Sequence, residues 1–229
     1  MLNLEFETQF KKHGFVSQRK YPNEALLQFI GARFFSLPKE ERAKSRVLEL
    51  GCGSGANLWM IAKEGFSAYG IDIAPTGIEY CRQMLQEHGV SADLRVGDML
   101  KLPYDAAFFD IIFDVVSMQH TDLAGHRLAY AEAFRCLRNG GTFFQWHMGA
   151  ESVSFLRGGG NNIDEITIDD IANPDVPLSG CGMVSFLTAE RASQLLSEAG
   201  FKNIQIERVT RTHRNRTQLN EFFSITASK

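Results

Sequence analysis

The sequence predicts an α/β fold: a doubly wound sheet of about seven strands, mostly parallel, that closes with a C-terminal antiparallel hairpin. Between residues 41 and 147, short apolar runs alternate with amphipathic helical segments, which is the pattern of parallel strands joined by crossover helices. A turn of alternating glycines follows the first apolar run. Two further strands, at 203–209 and 221–227, have no helix between them and must therefore pair antiparallel.

Length and charge limit the number of domains and the kind of partner. A chain of 229 residues can bury a full core as a single domain. Its net charge of −3 gives no overall field that would attract nucleic acid or an anionic membrane, so we expect a small-molecule partner and a monomer or homodimer. The four cysteines are scattered without metal-type spacing, which predicts reduced thiols in a cytoplasmic protein and no metal site. No signal peptide or membrane span is predicted.

The order of the elements divides this single domain, residues 1–229, into four parts. Residues 1–40 form an N-terminal helical extension, in which apolar spacing predicts a helix at 23–37 beside or over the ligand-binding edge of the sheet. The core at 41–147 is expected to continue from its first strand with helices at 56–63, 75–87 and 123–137 and strands at 67–71, 92–96, 109–116 and 141–147.

The last two parts interrupt and then complete the alternation. Residues 148–184 contain a glycine run, an acidic stretch and two prolines, so they are expected to form an insertion that acts as a lid. Residues 185–229 begin with a helix at 188–199, which Gly200 ends, and finish with the hairpin.

The glycine turn carries the first functional signal, because the first strand and its turn read Arg46-Val47-Leu48-Glu49-Leu50-Gly51-Cys52-Gly53-Ser54-Gly55-Ala56-Asn57. Glycine lets a ligand lie directly against the main chain, and the following helix presents free N–H groups. The segment resembles motif I of the class I S-adenosylmethionine (SAM)-dependent methyltransferases, in which an acidic residue precedes Gly-x-Gly-x-Gly. It also fits the looser dinucleotide-binding fingerprint, and a purely structural turn is a further alternative. The acidic Glu49 would repel a pyrophosphate and suits a sulfonium and an ammonium.

Two acidic residues at the ends of the next strands extend the resemblance. Asp72 follows the second strand, where a carboxylate can accept hydrogen bonds from both ribose hydroxyls, although it would also serve as a helix N-cap. The resemblance places the adenine amino group at Asp98 and the adenine ring against Met99; a plain Gly-Asp turn is the alternative. The fold implied is Rossmann-like. The positions that match the cofactor site are Glu49, Gly51, Cys52, Gly53, Asn57, Asp72, Ile73, Gly97, Asp98, Met99, Asp114 and Val115.

The fourth strand and its loop, residues 108–120, resemble motif IV of the same family, where the methyl-transfer site lies. Ligands bind at the carboxyl ends of strands in open α/β sheets. Methyl transfer from a sulfonium needs alignment and a proton acceptor, and a histidine titrates in the right range. His120 is the first candidate for that proton acceptor and His147, at the end of the fifth strand, is the second; either could instead be structural.

The acceptor side has no diagnostic motif. Ser117 and His120 would face the acceptor by position in the family, and Tyr21 lies in an N-terminal segment expected at the same edge. The hairpin turn holds several cations, among them Arg211 and Arg214, which would favour a carboxylate or phosphate substrate unless they form a solvated hairpin tip.

These patterns together predict a SAM-dependent methyltransferase that converts SAM to S-adenosylhomocysteine (SAH) while methylating oxygen or nitrogen of a small metabolite, and the hairpin cations favour an anionic one. An NAD(P)-dependent oxidoreductase is the alternative enzyme. A catalytically silent SAM-binding module is the alternative from another class.

Overall fold

A seven-stranded sheet forms the centre of the protein in a computed structural model, which describes residues 5–229. The strands of the chain are β1 (Arg46–Leu50), β2 (Ser67–Asp72), β3 (Asp93–Val96), β4 (Phe109–Val115), β5 (Leu137–Met148), β6 (Asn161–Asn162), β7 (Thr167–Asp169), β8 (Val184–Ser185), β9 (Lys202–His213) and β10 (Gln218–Ser228). The spatial order of the central sheet is β3-β2-β1-β4-β5-β10-β9. Strands β1 to β5 pair in parallel, and β10 pairs antiparallel with both β5 and β9. The predicted fold class is confirmed.

Helices cover the sheet on both faces. The helices described are α1 (Glu5–His13), α2 (Glu24–Phe34), α3 (Lys39–Arg42), α4 (Leu58–Lys63), α5 (Pro75–Glu87), α6 (Leu123–Cys136), α7 (Val153–Arg157) and α8 (Ala189–Glu198). Neighbouring residues of one strand face opposite sides, so Val47 packs in the core with α2, α4 and α5 while Leu48 packs in the core with α6 and α8. The central strands β1 and β4 are buried on both faces, as their apolar runs indicated.

The N-terminal region differs from the sequence prediction in two ways. Helix α2 begins after Asn23, whose side chain accepts hydrogen bonds from the next backbone N–H groups, and it packs on a face of the sheet, where Phe29 stacks on Phe144 at 4.7 Å. Of its two predicted placements, the helix therefore does not lie over the ligand-binding edge; its N-terminus lies beside the glycine turn, where the Asn23 N–H donates to Asn57. An unpredicted helix, α1, lies at that edge instead. The first four residues of the predicted extension lie outside the described residues.

The insertion at 148–184 has a core of its own. Strands β6, β7 and β8 form a small antiparallel sheet, and apolar residues of α7 and of the loop between β7 and β8 pack against that sheet. Its last residues run past the carboxyl edge of the central sheet, where Met183 contacts the loop after β4 through a backbone carbonyl. Within residues 5–229, no helix is both long and apolar enough to cross a membrane.

Candidate functional site

A cavity of about 690 Å³ lies at the carboxyl edge of β1, β2, β3 and β4. This volume falls in the range of roughly 300–1,000 Å³ that is usual for small-molecule sites. The cavity is lined by Phe6, Phe10, Gly51, Gly53, Ile71, Asp72, Ile73, Gly97, Asp98, Met99, Leu100, Val116, Ser117, His120, Thr121, Asp122, Gly125 and Met183. The end of each strand therefore contributes side chains to one space, as expected for an open α/β sheet.

The glycine turn forms one wall of the cavity. Gly51 has a φ of 63°, and a Cβ on it would overlap the side chain of Ser117, whose hydroxyl donates a 2.9 Å hydrogen bond to the Gly51 carbonyl. The absent Cβ thus brings the loop after β4 onto the turn. Gly53 also has a positive φ, and its N–H donates to the Asp72 carboxylate at 2.8 Å. Cys52 and Asn57 are buried behind the turn and do not line the cavity.

Two carboxylates stand at the ends of adjacent strands. Asp72 is 8% exposed and accepts from the N–H groups of Gly53 and Ala74, so it fixes the turn while facing the cavity. Burial raises the pKa of this carboxyl. Asp98 accepts from the Leu100 N–H at 2.8 Å through one oxygen, next to Met99. Among the described lining residues no lysine or arginine is present, so the side-chain charges of the cavity wall are negative.

Glu49 lies beneath the glycine turn rather than in the cavity wall. It is 2% exposed; its Oε1 accepts from Asn57 at 2.6 Å, and its Oε2 has no hydrogen-bond partner. Burial raises the pKa of Glu49 to about 8. Asn57 in turn accepts from the Arg19 guanidinium at 3.1 Å and from the Asn23 N–H at 2.9 Å. The turn is thereby tied to the N-terminal segment.

The loop after β4 is held by a buried network. Asp114 accepts from the N–H groups of Ser117 and Met118 through one oxygen and from Gln145 through the other. Gln145 accepts from the Tyr130 hydroxyl at 2.7 Å. Burial raises the pKa of Asp114 to about 7. The Asp114 side chain and Val115 therefore support the cavity from behind and do not line it.

Val116, the next residue, lines the cavity with a φ of 57°. A β-branched residue in the left-handed region is strained, and such strain is typical of functional loops.

His120 reaches the cavity from the short 3₁₀ helix Met118–His120. Its Nδ1 donates to the Met183 carbonyl at 3.0 Å, and its Nε2 lies 3.3 Å from the Gln119 amide nitrogen. The Phe6 ring meets it edge-on at 4.7 Å. Burial lowers the pKa of His120, so the imidazole is kept neutral with its lone pair on Nε2.

His147 lies elsewhere. It is fully buried, outside the cavity lining, with its ring 5.1 Å from that of His126. Its Nδ1 donates to the Met148 carbonyl, its Nε2 has no partner, and burial lowers its pKa to about 4. The structure therefore brings only one of the two candidate histidines to the cavity.

The predicted substrate-binding residues outside the loop also lie away from the cavity. Tyr21 is 74% exposed. Arg211 pairs with Glu24 at 3.0 Å, and Arg214 lies 3.9 Å from Asp175. Because these cations already face carboxylates, the predicted cationic mouth for an anionic acceptor is not formed.

Sequence reasoning missed the walls contributed from distant parts of the chain. Phe6 and Phe10 come from α1, Met183 from the insertion, and Asp122 from the start of α6. Asp122 could have been found from its position, because it comes two residues after His120 and directly before an apolar helical run. No local pattern marks the other three.

The core of the chain is similar to a known protein family. A family model for a methyltransferase domain matches residues 47–141. Residues 47–141, less than half of the chain, are therefore similar to a methyltransferase domain. This segment carries the glycine turn, both strand-end carboxylates and His120.

Curated relatives match part of this chain. A sarcosine/dimethylglycine N-methyltransferase of Aphanothece halophytica is 34% identical over 104 residues, which are 44% of this chain and 37% of the relative. A ubiquinone biosynthesis O-methyltransferase of Methylocella silvestris is 35% identical over 81 residues, or 35% of this chain and 32% of the relative. The match thus spans about a third of the length of these relatives.

Solved structures extend the likeness of the fold beyond residues 47–141. A SAM-dependent methyltransferase of Thermotoga maritima superposes with a TM-score of 0.62 at 19% identity, covering 99% of this chain and 98% of that one. A protein of echinomycin biosynthesis superposes with a TM-score of 0.70 at 18% identity over 100% and 93% of the two chains. At such identities the likeness concerns the fold.

Proposed function

We propose that the protein is a SAM-dependent methyltransferase that acts on a small molecule. One observation carries the proposal: the cavity joins a glycine turn to carboxylates at the ends of β2 and β3, and no cationic side chain lines it in the described part of the chain. A dinucleotide would bring a pyrophosphate into this acidic space, whereas SAM brings a sulfonium and an ammonium. The charge of the site thus favours SAM over NAD(P).

The residues present fit SAM. Asp72 would accept from the ribose hydroxyls, and Asp98 with Met99 would hold the adenine. The unpartnered Oε2 of Glu49 lies beneath the turn, where an ammonium would satisfy it. Ser117 and the Gly51–Gly53 turn would enclose the methionine end.

The sulfonium supplies an activated methyl group, so the protein has to align the acceptor, exclude water and remove a proton. Phe6 and Phe10 form an apolar wall over the cavity. His120 presents a neutral imidazole to it, and we assign this residue the role of proton acceptor. His147, buried behind the wall, would act on the acceptor only through other groups.

The names of the relatives support the same class of reaction. They include N- and O-methyltransferases, and solved structures of similar fold were obtained with SAH and a small acceptor. Those names differ in the atom methylated, so they support methyl transfer to a small molecule without selecting oxygen or nitrogen.

Calorimetry on the full chain tests the proposal, with SAM, SAH, NAD and NADP as ligands. We expect one-site binding of SAM and SAH and no binding of the dinucleotides. Asp72→Asn removes the charge but keeps an oxygen for the Gly53 N–H, and it should weaken SAH binding about tenfold or more. Asp105→Asn, at an exposed position outside the cavity, is the matched control and should bind normally. Binding of the dinucleotides alone would make the protein an oxidoreductase.

A further inference from the structure

The half of the cavity around His120 has a distinct composition. His120 packs against the Phe6 ring and donates to the Met183 carbonyl, and Asp122 follows two residues later. Asp72 and Asp98 lie at the strand ends that hold the nucleoside in the proposed function. The acceptor must therefore approach from the side of Phe6, His120 and Asp122.

Asp122 is the charged group of this half. It is the N-cap of α6, and its Oδ1 accepts from the Gly125 N–H at 2.7 Å. Within residues 5–229 it forms no ion pair. Its second carboxylate oxygen is thus available to a donor in the cavity, and its negative charge would attract a cation and repel an anion.

The neighbouring side chains suit the same kind of ligand. Phe6 offers an aromatic ring to this half of the cavity, and ring faces attract ammonium groups. A carboxylate or phosphate acceptor would need a cationic partner, and the lining described for the cavity has none. Arg211 and Arg214 of the β9–β10 hairpin do not supply one, because they face Glu24 and Asp175.

We propose that the acceptor is an organic amine, which enters the cavity as an ammonium ion held by Asp122 and which gives its proton to His120 before methyl transfer. The proposal rests on the proposed function. The ammonium loses one proton to Nε2 of His120, and the freed nitrogen lone pair forms the N–C bond to the methyl carbon as the C–S bond breaks. The electrons of that bond remain on sulfur, so the products are SAH and an N-methylammonium ion.

Calorimetry on the SAH-saturated chain tests this inference with three probes of one frame: phenethylamine, 2-phenylethanol and 3-phenylpropionate. At neutral pH these are a cation, a neutral alcohol and an anion. We expect the amine to bind at least about tenfold more tightly than the alcohol and the carboxylate not to bind.

The variant Asp122→Asn isolates the charge, because asparagine caps a helix about as well as aspartate. It should weaken amine binding about tenfold and leave the affinities for SAH and 2-phenylethanol unchanged. Asp105→Asn is the control and should behave as the wild type.

The outcomes separate the two proposals. Failure of SAH to bind the wild type overturns the proposed function itself. If SAH binds normally, three results overturn only the proposal of an amine acceptor. They are no preference for the amine, no binding of any probe, and tighter binding of 3-phenylpropionate. An unchanged amine affinity in Asp122→Asn removes the role of Asp122.

Discussion

His120 is the side chain on which the proposed chemistry depends most directly. Its Nδ1 is engaged by the Met183 carbonyl, so its second nitrogen alone can take a proton from an acceptor. In His120→Asn the amide N–H can still donate to Met183, but the side chain has no base. We expect kcat to fall by about 10² to 10⁴ while the Kd for SAH is unchanged.

Steady-state kinetics with an established acceptor, together with calorimetry of SAH, measure this effect. His213→Asn, on the exposed end of β9, is the control. A variant that keeps the wild-type kcat with normal SAH binding would remove the assigned role from His120.

The residues that could be predicted from the sequence share a simple geometry. Asp72, Asp98 and His120 each lie at or just after the end of a parallel strand. Because parallel strands end at one edge of the sheet, the order of the strands in the sequence is enough to predict that these side chains lie close together. The fate of His147 did not follow, because its strand runs on to Met148 and its side chain turns into the core. Arg211 was misjudged because its partner Glu24 is 187 residues away.

At the scale of elements, α1 is fastened to the start of α5. The Glu7 carboxylate accepts from both the N–H and the hydroxyl of Thr76, at 2.9 and 2.7 Å, in the first turn of α5. A carboxylate there satisfies free N–H groups and is favoured by the helix dipole. Phe6 and Phe10, which flank Glu7, thereby stay in the cavity wall.

Glu7→Ala should release α1. We expect faster hydrogen exchange of its amides, corresponding to about 1 kcal/mol of lost local stability, and weaker SAH binding. Lys12→Ala, at an exposed position of the same helix, should leave exchange and binding unchanged. Equal exchange in the two variants would contradict the fastening role of Glu7.

Helix α6 is joined to the sheet by the Tyr130–Gln145–Asp114 chain of hydrogen bonds. Tyr130→Phe leaves the buried Gln145 carbonyl oxygen without its donor, which should cost about 1–3 kcal/mol of unfolding free energy. Tyr69→Phe is a matched control, because the Tyr69 hydroxyl has no hydrogen bond in the described part of the chain. Urea denaturation measures the unfolding free energy of both variants. If the two variants lose the same amount, the hydrogen bond from Tyr130 to Gln145 does not stabilise the protein.

For the whole molecule, buried groups set the pH dependence of stability. Glu49 has an ordinary pKa of 4.5 that rises to about 8 on folding, so between these values the folded chain binds a proton that the unfolded chain releases. Stability therefore falls as pH rises through that window. His147 acts oppositely: its pKa falls from 6.5 to about 4, so its contribution is present above 6.5 and is lost as pH falls towards 4.

Between pH 6.5 and 8 the contribution of His147 is constant, so the carboxyls decide the slope. We expect the unfolding free energy to decrease with pH there, by at most about 1.4 kcal/mol per pH unit for each group. Glu49→Gln should flatten the slope without abolishing it, because Asp114, with a pKa raised to about 7, still titrates. Urea denaturation at a series of pH values measures this pH dependence of the unfolding free energy. If the substitution leaves the slope unchanged, Glu49 is not the group that causes it.

The global architecture could be predicted further than the site. The strand-helix alternation and the missing helix between the last two strands were enough for the sheet topology, because chain connectivity leaves few arrangements. The small sheet of the insertion could not be foreseen, because β6 and β8 are two residues each and are ordered by packing against distant elements.

Helix α1 and the end of the insertion meet at the cavity, since a Cβ on Gly182 would overlap the Glu5 carboxylate. A ligand bound between these walls is covered on two sides, and we expect its release to require movement of one of them. In a working enzyme this would make the egress of the spent cofactor a separate kinetic step, and the first catalytic cycle would run ahead of the steady state as a pre-steady-state burst.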